Sequence, residues 1–166
     1  MIDASTLAEL WSSHADRLHL VARALGGSAE DVVQQAFVRL ALENQLPENT
    51  FAWLVTVVRN EVYQENRKRS RRRRHEQAAS ERWLMRQGES STDEIDAGEV
   101  TEELKRISSQ QREIIVLHLW GGMTFEEIAQ QLGLSRATAH RIYQRGIREL
   151  KHKLNPADSN SEVAET

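Results

Sequence analysis

Apolar residues recur at helical spacing along most of the chain. Leu7, Leu10, Trp11, Leu18, Val21 and Leu25 form a first stripe, which Gly26-Gly27 ends. Ser28-Ala-Glu-Asp31 then opens a second helix, with serine placed to cap and acids in the first turn, where the helix dipole favours them. Val33, Ala36, Phe37 and Leu40 mark its buried side, and Asp31, Gln34, Gln35 and Arg39 fall on or near the other. A loop with Pro47 and Asn49 leads to Thr50, the expected cap of a third helix. There Leu54, Val58 and Val62 lie at i, i+4 and i+8, and Phe51, Trp53, Val55 and Val57 widen the apolar surface.

That third helix turns polar at Arg59, Asn60, Tyr63 and Asn66 and ends in Arg-Lys-Arg-Ser-Arg-Arg-Arg-Arg, seven positive charges in residues 67–74. Unpaired, these charges repel one another, and their density favours polyanion phosphate over a merely solvated helix end. Residues 75–100 hold no sustained period and read as a linker. Gly88-Glu-Ser-Ser-Thr is its best flexible break, and Trp83, Leu84 and Met85 a short docking segment. Val100, Leu104 and Ile107 start a new stripe. Ser108 caps the next helix, filled by Ile114, Ile115, Leu117 and Leu119 and closed by Gly121-Gly122.

Residues 123–154 predict two helices around a tight turn. Thr124 and Glu127 have capping-box spacing, and Ile128, Ala129 and Leu132 share a face. Gly133 can take the left-handed conformation that stops a helix, and Ser135 can cap the next. In that last helix Ala139, Ile142, Ile147, Leu150 and Leu154 face inward. Arg136, His140, Arg141, Gln144, Arg145 and Arg148 are left mostly outside. This is the pattern of a helix-turn-helix whose second helix is suited to a major groove. A plain helical hairpin with a charged face is the bland alternative. The closing residues 155–166 are expected to be disordered.

Composition narrows the picture. The 166 residues suffice for one medium domain or two small ones, and two prolines with abundant Leu, Ala, Glu, Gln and Arg favour an all-α fold. The absence of cysteine excludes disulfides and cysteine-ligated zinc, and no apolar run would span a bilayer, so a soluble, cytoplasmic protein is expected. The net charge of −3 hides segregation: residues 51–74 carry eight basic residues against Glu61 and Glu65, and residues 108–154 carry seven against four acids. The intervening stretches are acidic. Two basic blocks imply two contacts with polyanion, and the acidic surfaces are free for a protein partner. The six histidines make no metal-ligand pattern and there is no phosphate loop, so neither metal, cofactor nor enzymatic activity is expected.

Three segments carry a resemblance: A-E-D-V-V-Q-Q-A-F-V-R-L (29–40), A-W-L-V-T-V-V-R-N (52–60) with its arginine-rich end, and residues 108–135 from S-S-Q-Q-R-E-I-I-V to Q-L-G-L-S. Together they resemble the extracytoplasmic-function (ECF) group of the sigma-70 family of bacterial RNA polymerase sigma factors, over about residues 14–74 and 101–154. The resemblance implies two small helical domains on a flexible linker, 1–74 of the region 2 type and 101–154 of the region 4 helix-turn-helix type. It implies that Glu30, Asp31, Gln34, Gln35 and Arg39 dock on the clamp of the largest polymerase subunit, with the flap as a second polymerase contact. Asn60, Tyr63, Asn66, Arg67, Arg71, Arg72 and Arg73 would meet the minus-10 element, and the loop from Asn44 to Thr50 would hold a base taken out of the stack. Arg136, Thr138, His140, Arg141, Gln144, Arg145 and Arg148 would meet the minus-35 element. Many members of the family also bind an anti-sigma protein, which adds a further expected partner.

The elements of such a promoter lie about 55 Å apart, one and a half turns at ~35 Å each, and a linker of about 25 residues can reach roughly 80 Å. Two departures from the common family pattern stand out. The loop before the third helix is short and carries Pro47. The recognition helix reads T-A-H-R-I-Y-Q-R-G, which points to an unusual minus-35 preference. The competing readings are a helix-turn-helix regulator working without polymerase, a recombinase-like enzyme, and a degenerate member that only sequesters a partner. The first of these accounts for residues 108–154 but not for the first lobe.

Overall fold

A computed structural model describes residues 1–80 and 103–154, and every regular element among them is an α-helix. The order is α1 (Ala4–Ala24), α2 (Ala29–Leu42), α3 (Thr50–Ser80), α4 (Ser109–Leu119), α5 (Phe125–Leu132) and α6 (Arg136–Leu154). The expected docking segment at 83–85, the break at 88–92 and the closing tail lie outside the described residues.

Helices α1, α2 and α3 pack on one another as a first lobe, and α4, α5 and α6 as a second. Leu18, Val21, Val33, Ala36, Leu40, Leu54, Val58 and Val62 are wholly buried in the first. These are the residues whose spacing marked the apolar stripes. In the second lobe Leu104, Ile107, Ile114, Ile115, Leu117, Ile128 and Ala139 fill the interior. Leu119 does not, and is about half exposed. α4 ends at that residue and the chain turns away through Trp120 and Gly121.

The helix starts show where local chemistry wins. Thr124 and Glu127 form the expected capping box, and Ser108 forms another with Gln111. Ser135 Oγ accepts from Thr138 N at 3.1 Å, and Gly133 takes φ 66°, ψ 35° as the left-handed stop. Two expected caps differ. Asn49, not Thr50, caps α3: its Oδ1 accepts from Ala52 N, while Thr50 Oγ1 donates to Pro47 O. Asparagine one residue earlier reaches the exposed N–H, and threonine becomes the first helical residue. Ser28 makes no side-chain cap either. Its hydroxyl donates to Asp31 Oδ2, and its backbone N–H donates to Glu65 Oε2 on α3. α3 also runs to Ser80, past the expected boundary at 74. Arginine and lysine are good helix formers, so the basic run propagates the helix rather than ending it.

The lobes touch. Arg59 Nε on α3 donates to Glu113 Oε1 on α4 at 2.5 Å, and Arg17 Nη2 on α1 donates to Trp120 O at 2.9 Å. Gly121 packs so tightly that a Cβ there would lie 3.0 Å from Val55 Cγ1 on α3. One continuous set of buried side chains therefore runs through both lobes.

Candidate nucleic-acid interface

At about 100° per residue, Asn60, Tyr63, Asn66, Arg67 and Arg71 fall within one sector of α3 about 140° wide. The buried Val58 and Val62 lie outside that sector. Arg74, not singled out from the sequence, falls near its centre, and Arg73 just beyond its edge. Arg72 falls on the far side. Phase along the helix separates these neighbours, which a run of like charges conceals. Residues 67–74 are all exposed. Arg69 is held by Glu65 at 3.1 Å one turn back, and Arg74 Nη2 reaches Ser70 Oγ at 3.4 Å.

The upper part of this strip is electrostatically organised. The Arg59 guanidinium lies 4.9 Å from the centre of the Tyr63 ring and donates to Asn60 Oδ1 at 3.2 Å. Burial, and after it the Glu113 carboxylate, push the Tyr63 hydroxyl up to about 12. Tyr63 is thus a neutral hydroxyl on a flat ring, with Arg59 beside it and Arg67 one turn further. Rings and guanidinium planes of this kind stack with unpaired bases. In the preceding loop Asn44, Gln45, Glu48 and Asn49 are exposed. The Asn49 carboxamide is engaged by its cap.

On α2 the expected residues Glu30, Asp31, Gln34, Gln35 and Arg39 are all exposed. Asp31, Gln34 and Gln35 share the outward face. Arg39 lies at its edge, paired with Glu61 of α3. The same outward face carries Val38 and Leu42, 53% and 69% exposed. Sequence reasoning missed them. The signal was there, because both fall off the helical phase of the buried Val33–Leu40 stripe. Apolar side chains amid acids and amides suit a protein partner better than solvent.

In the second lobe α5 and α6 meet across the turn at Gly133. Ala139 is fully buried, and Gly146 lets α6 close on α4: a Cβ there would lie 2.8 Å from Ile115 Cδ1 and 3.1 Å from Gln111 Cβ. Gln111 Nε2 also donates to Glu149 Oε2 at 3.2 Å, and Lys153 Nζ donates to Arg106 O at 2.7 Å. The hydrogen bonds from Lys153 and Gln111 hold the Glu149 carboxyl below the usual range. With α6 so fixed, Arg141, Gln144, Arg145 and Arg148 share one exposed face, and the exposed Ala137 lies among them. Arg136 is exposed at the first turn. Thr138 is different: it is half-buried, and its hydroxyl lies 2.8 Å from Ser135 Oγ within the cap. His140 lies at the edge of the face with its ring against Phe125, centroids 5.0 Å apart. Phe125 in turn stacks on His118 and meets Tyr143, so four rings brace the turn.

Among the described residues no group of acidic, histidine or cysteine side chains could hold a metal ion, and no helix is long and apolar enough to cross a membrane. One face of α3 thus sets an aromatic ring among cationic groups, one face of α6 is exposed and cationic, and a face of α2 exposes apolar side chains among acids and amides.

Comparison with known proteins agrees. Residues 10–72 match the family described as sigma-70 region 2, and residues 104–152 match sigma-70, region 4. The ECF RNA polymerase sigma factor SigL of Mycobacterium tuberculosis, in its Erdman, CDC 1551 and H37Rv strains, is 28% identical over 160 residues, covering 90% of this chain and 89% of the relative. The sigma factor RpoE from Bartonella quintana, solved in complex with the anti-sigma factor NepR, shares the fold with a TM-score of 0.66 at 24% identity, over 93% of this chain and 99% of that one. With both regions matched in order, at the two ends where the sequence carries its basic faces, the chain belongs to the ECF group of the sigma-70 family and is an alternative RNA polymerase sigma factor.

Proposed function

We propose that this chain works by a two-point grip on promoter DNA while its α2 face holds polymerase. Arg141, Gln144, Arg145 and Arg148, with Arg136 and Ala137, address the minus-35 element from the major groove. His140 and Thr138 chiefly position α6. Arginine forks pair with guanine edges, and an exposed methyl suits thymine. Asn60, Tyr63, Asn66, Arg67, Arg71 and Arg74 form the strip for the minus-10 strand, with Tyr63 as the stacking ring. Glu30, Asp31, Gln34 and Gln35, joined by Val38 and Leu42, dock on the polymerase clamp.

The observation that carries this reading is the sharing of one face of α3 by Asn60, Tyr63, Arg67 and Arg74. Stacking and cationic groups line up there along one edge, as a single strand requires. The proposed domains are residues 1–74, of which α3 forms the long edge, and 101–154. The chain acts without catalysing a reaction itself, in the cytoplasm beside polymerase, and an anti-sigma protein is a proposed partner. Reconstitution with core polymerase and promoter DNA tests the assignment. Tyr63→Ala should abolish strand opening, followed by base-analogue fluorescence at the minus-10 element, while leaving core binding unchanged. Normal opening by that variant would refute the assignment of the strip.

A further inference from the structure

Ser70 is the one residue of 67–74 that carries no charge, and no other serine or threonine lies between Thr56 and Ser80. It is exposed. At about 100° per residue it falls inside the sector of α3 that carries Asn60, Tyr63, Asn66, Arg67 and Arg71. Arg74 Nη2 donates to its Oγ at 3.4 Å, and Asn66, Arg69, Arg73 and Arg74 line one open groove with it. On a helix the side chains three and four residues away lie beside a given residue. For Ser70 these are Asn66, Arg67, Arg73 and Arg74. A neutral hydroxyl adds little to a strip whose arginines already bind phosphate. The same oxygen is placed, however, where a phosphate attached to it would meet several guanidinium groups at once.

We propose that Ser70 is a phosphoacceptor, and that a phosphate on it switches off the minus-10 strip by occupying the strip's own arginines. The proposal rests on the minus-10 role of α3. The donor is ATP, and the agent is a serine kinase with an acid-lined substrate groove, to which Arg67, Lys68 and Arg69 before the serine and Arg71 after it are complementary. Ser70 Oγ bonds to the γ-phosphorus, the bond from that phosphorus to the bridging oxygen of ADP breaks, the hydroxyl proton passes to the kinase's base, and ADP leaves. Access requires local unwinding of α3. No core is lost by it, because residues 67–74 are all exposed, and repulsion among like charges one turn apart lowers its cost. Once attached, the phosphate carries about −1.5 to −2 charges and three acceptor oxygens, which bond strongly to a cluster of arginines. A DNA phosphate needs the same guanidinium groups but arrives from solution. The tethered phosphate is present at an effective concentration on the order of millimolar, and it also repels the incoming strand.

The test uses the full chain. Protein purified from its own cells while its promoters are silent, cut after Glu65 and Glu76, should yield the fragment 66–76 with one phosphate on Ser70 by mass spectrometry. Phosphoserine is then placed at position 70 during translation and the chain assembled with core polymerase. Binding of a forked promoter fragment at about 0.1 M salt should weaken tenfold or more, the effect of losing at least one charge-assisted hydrogen bond. With about two cations of the strip neutralised, at about 0.7 each, the slope of log affinity against log salt should be shallower by about 1.4. Phosphatase treatment should restore both quantities, which a misfolded chain would not do. Phosphoserine at the exposed Ser12 of α1 should change neither. Ser70→Ala should open promoters as the wild type does and keep that activity after incubation with ATP and a kinase of basic substrates. Absence of phosphate on Ser70 in silent cells, unchanged binding by the Ser70 phosphoform, or an equal loss from phosphate at Ser12 would each overturn the proposal. Failure of the promoter reading would show separately, as absence of strand opening by the unmodified chain.

Discussion

The phase of the arginines along α3 makes a quantitative prediction. If Arg67, Arg71 and Arg74 lie on the strand-facing side, replacing all three with alanine removes three phosphate contacts. Alanine is the better helix former, so the helix itself survives. For single-stranded DNA each contact adds about 0.7 to the slope of log affinity against log salt. The triple variant should therefore show a slope shallower by about 2. Between about 50 and 200 mM salt, the gap between variant and wild type should narrow roughly twentyfold. The control is Lys68→Ala with Arg69→Ala. Lys68 falls on the far side, and Arg69 is already engaged with Glu65, so the slope should hardly change. The assay is fluorescence anisotropy of a forked promoter fragment titrated with the polymerase holoenzyme at several salt concentrations. Equal slopes for the triple variant and the wild type would refute phosphate contact. Equal effects of the triple variant and the control would refute the facial assignment and leave only diffuse charge.

Four further outcomes are expected. Arg141→Ala should cost about 1–3 kcal/mol of minus-35 discrimination while leaving core polymerase affinity intact, as measured by competition among promoter variants. Val38→Glu, on the outward face of α2, should weaken core binding in a pull-down titration without changing the circular dichroism of the free chain. Gly27→Ala should destabilise the first lobe by about 1–3 kcal/mol in urea unfolding, because a Cβ there would lie 3.2 Å from Cβ and Cγ1 of the fully buried Val62, and closer still to Cγ2. Tyr63, raised to about 12 by burial and Glu113, has a folded value above its free one, so its contribution to lobe contact is complete below pH 10 and lost as pH rises through 12. Its phenolate absorbance should appear nearer pH 10 in Glu113→Gln, and an unmoved titration would count against the contact.

Much of the fold was legible because the apolar stripes are regular. Val33, Ala36 and Leu40, then Leu54, Val58 and Val62, sit where a 3.6-residue period puts them. Gly133 and the Thr124–Glu127 box announce the turn by chemistry alone. The cap of α3 was misplaced by one residue, since Asn49 and Thr50 are both competent and only the path of the Pro47 loop decides between them. Within a site, sequence identifies the type of chemistry before the geometry. The arginine run signals phosphate, yet its division between strand-facing and far sides needs the phase of a helix continuous from Thr50. Thr138 and His140 look like readers from their chemistry, but the structure engages one in a cap and sets the other against Phe125. Val38 and Leu42 were passed over because exposed apolar residues on a helix draw notice only once their neighbours are known to be solvated. The meeting of Arg59 with Glu113, 54 positions apart, has no local signature.

Run-off transcription with core polymerase over a genomic promoter library tests the central claim most directly. Adding the chain should produce transcripts from a restricted set of promoters that share two elements, with none from those promoters by core alone. Absence of any chain-dependent transcript across the library would contradict it.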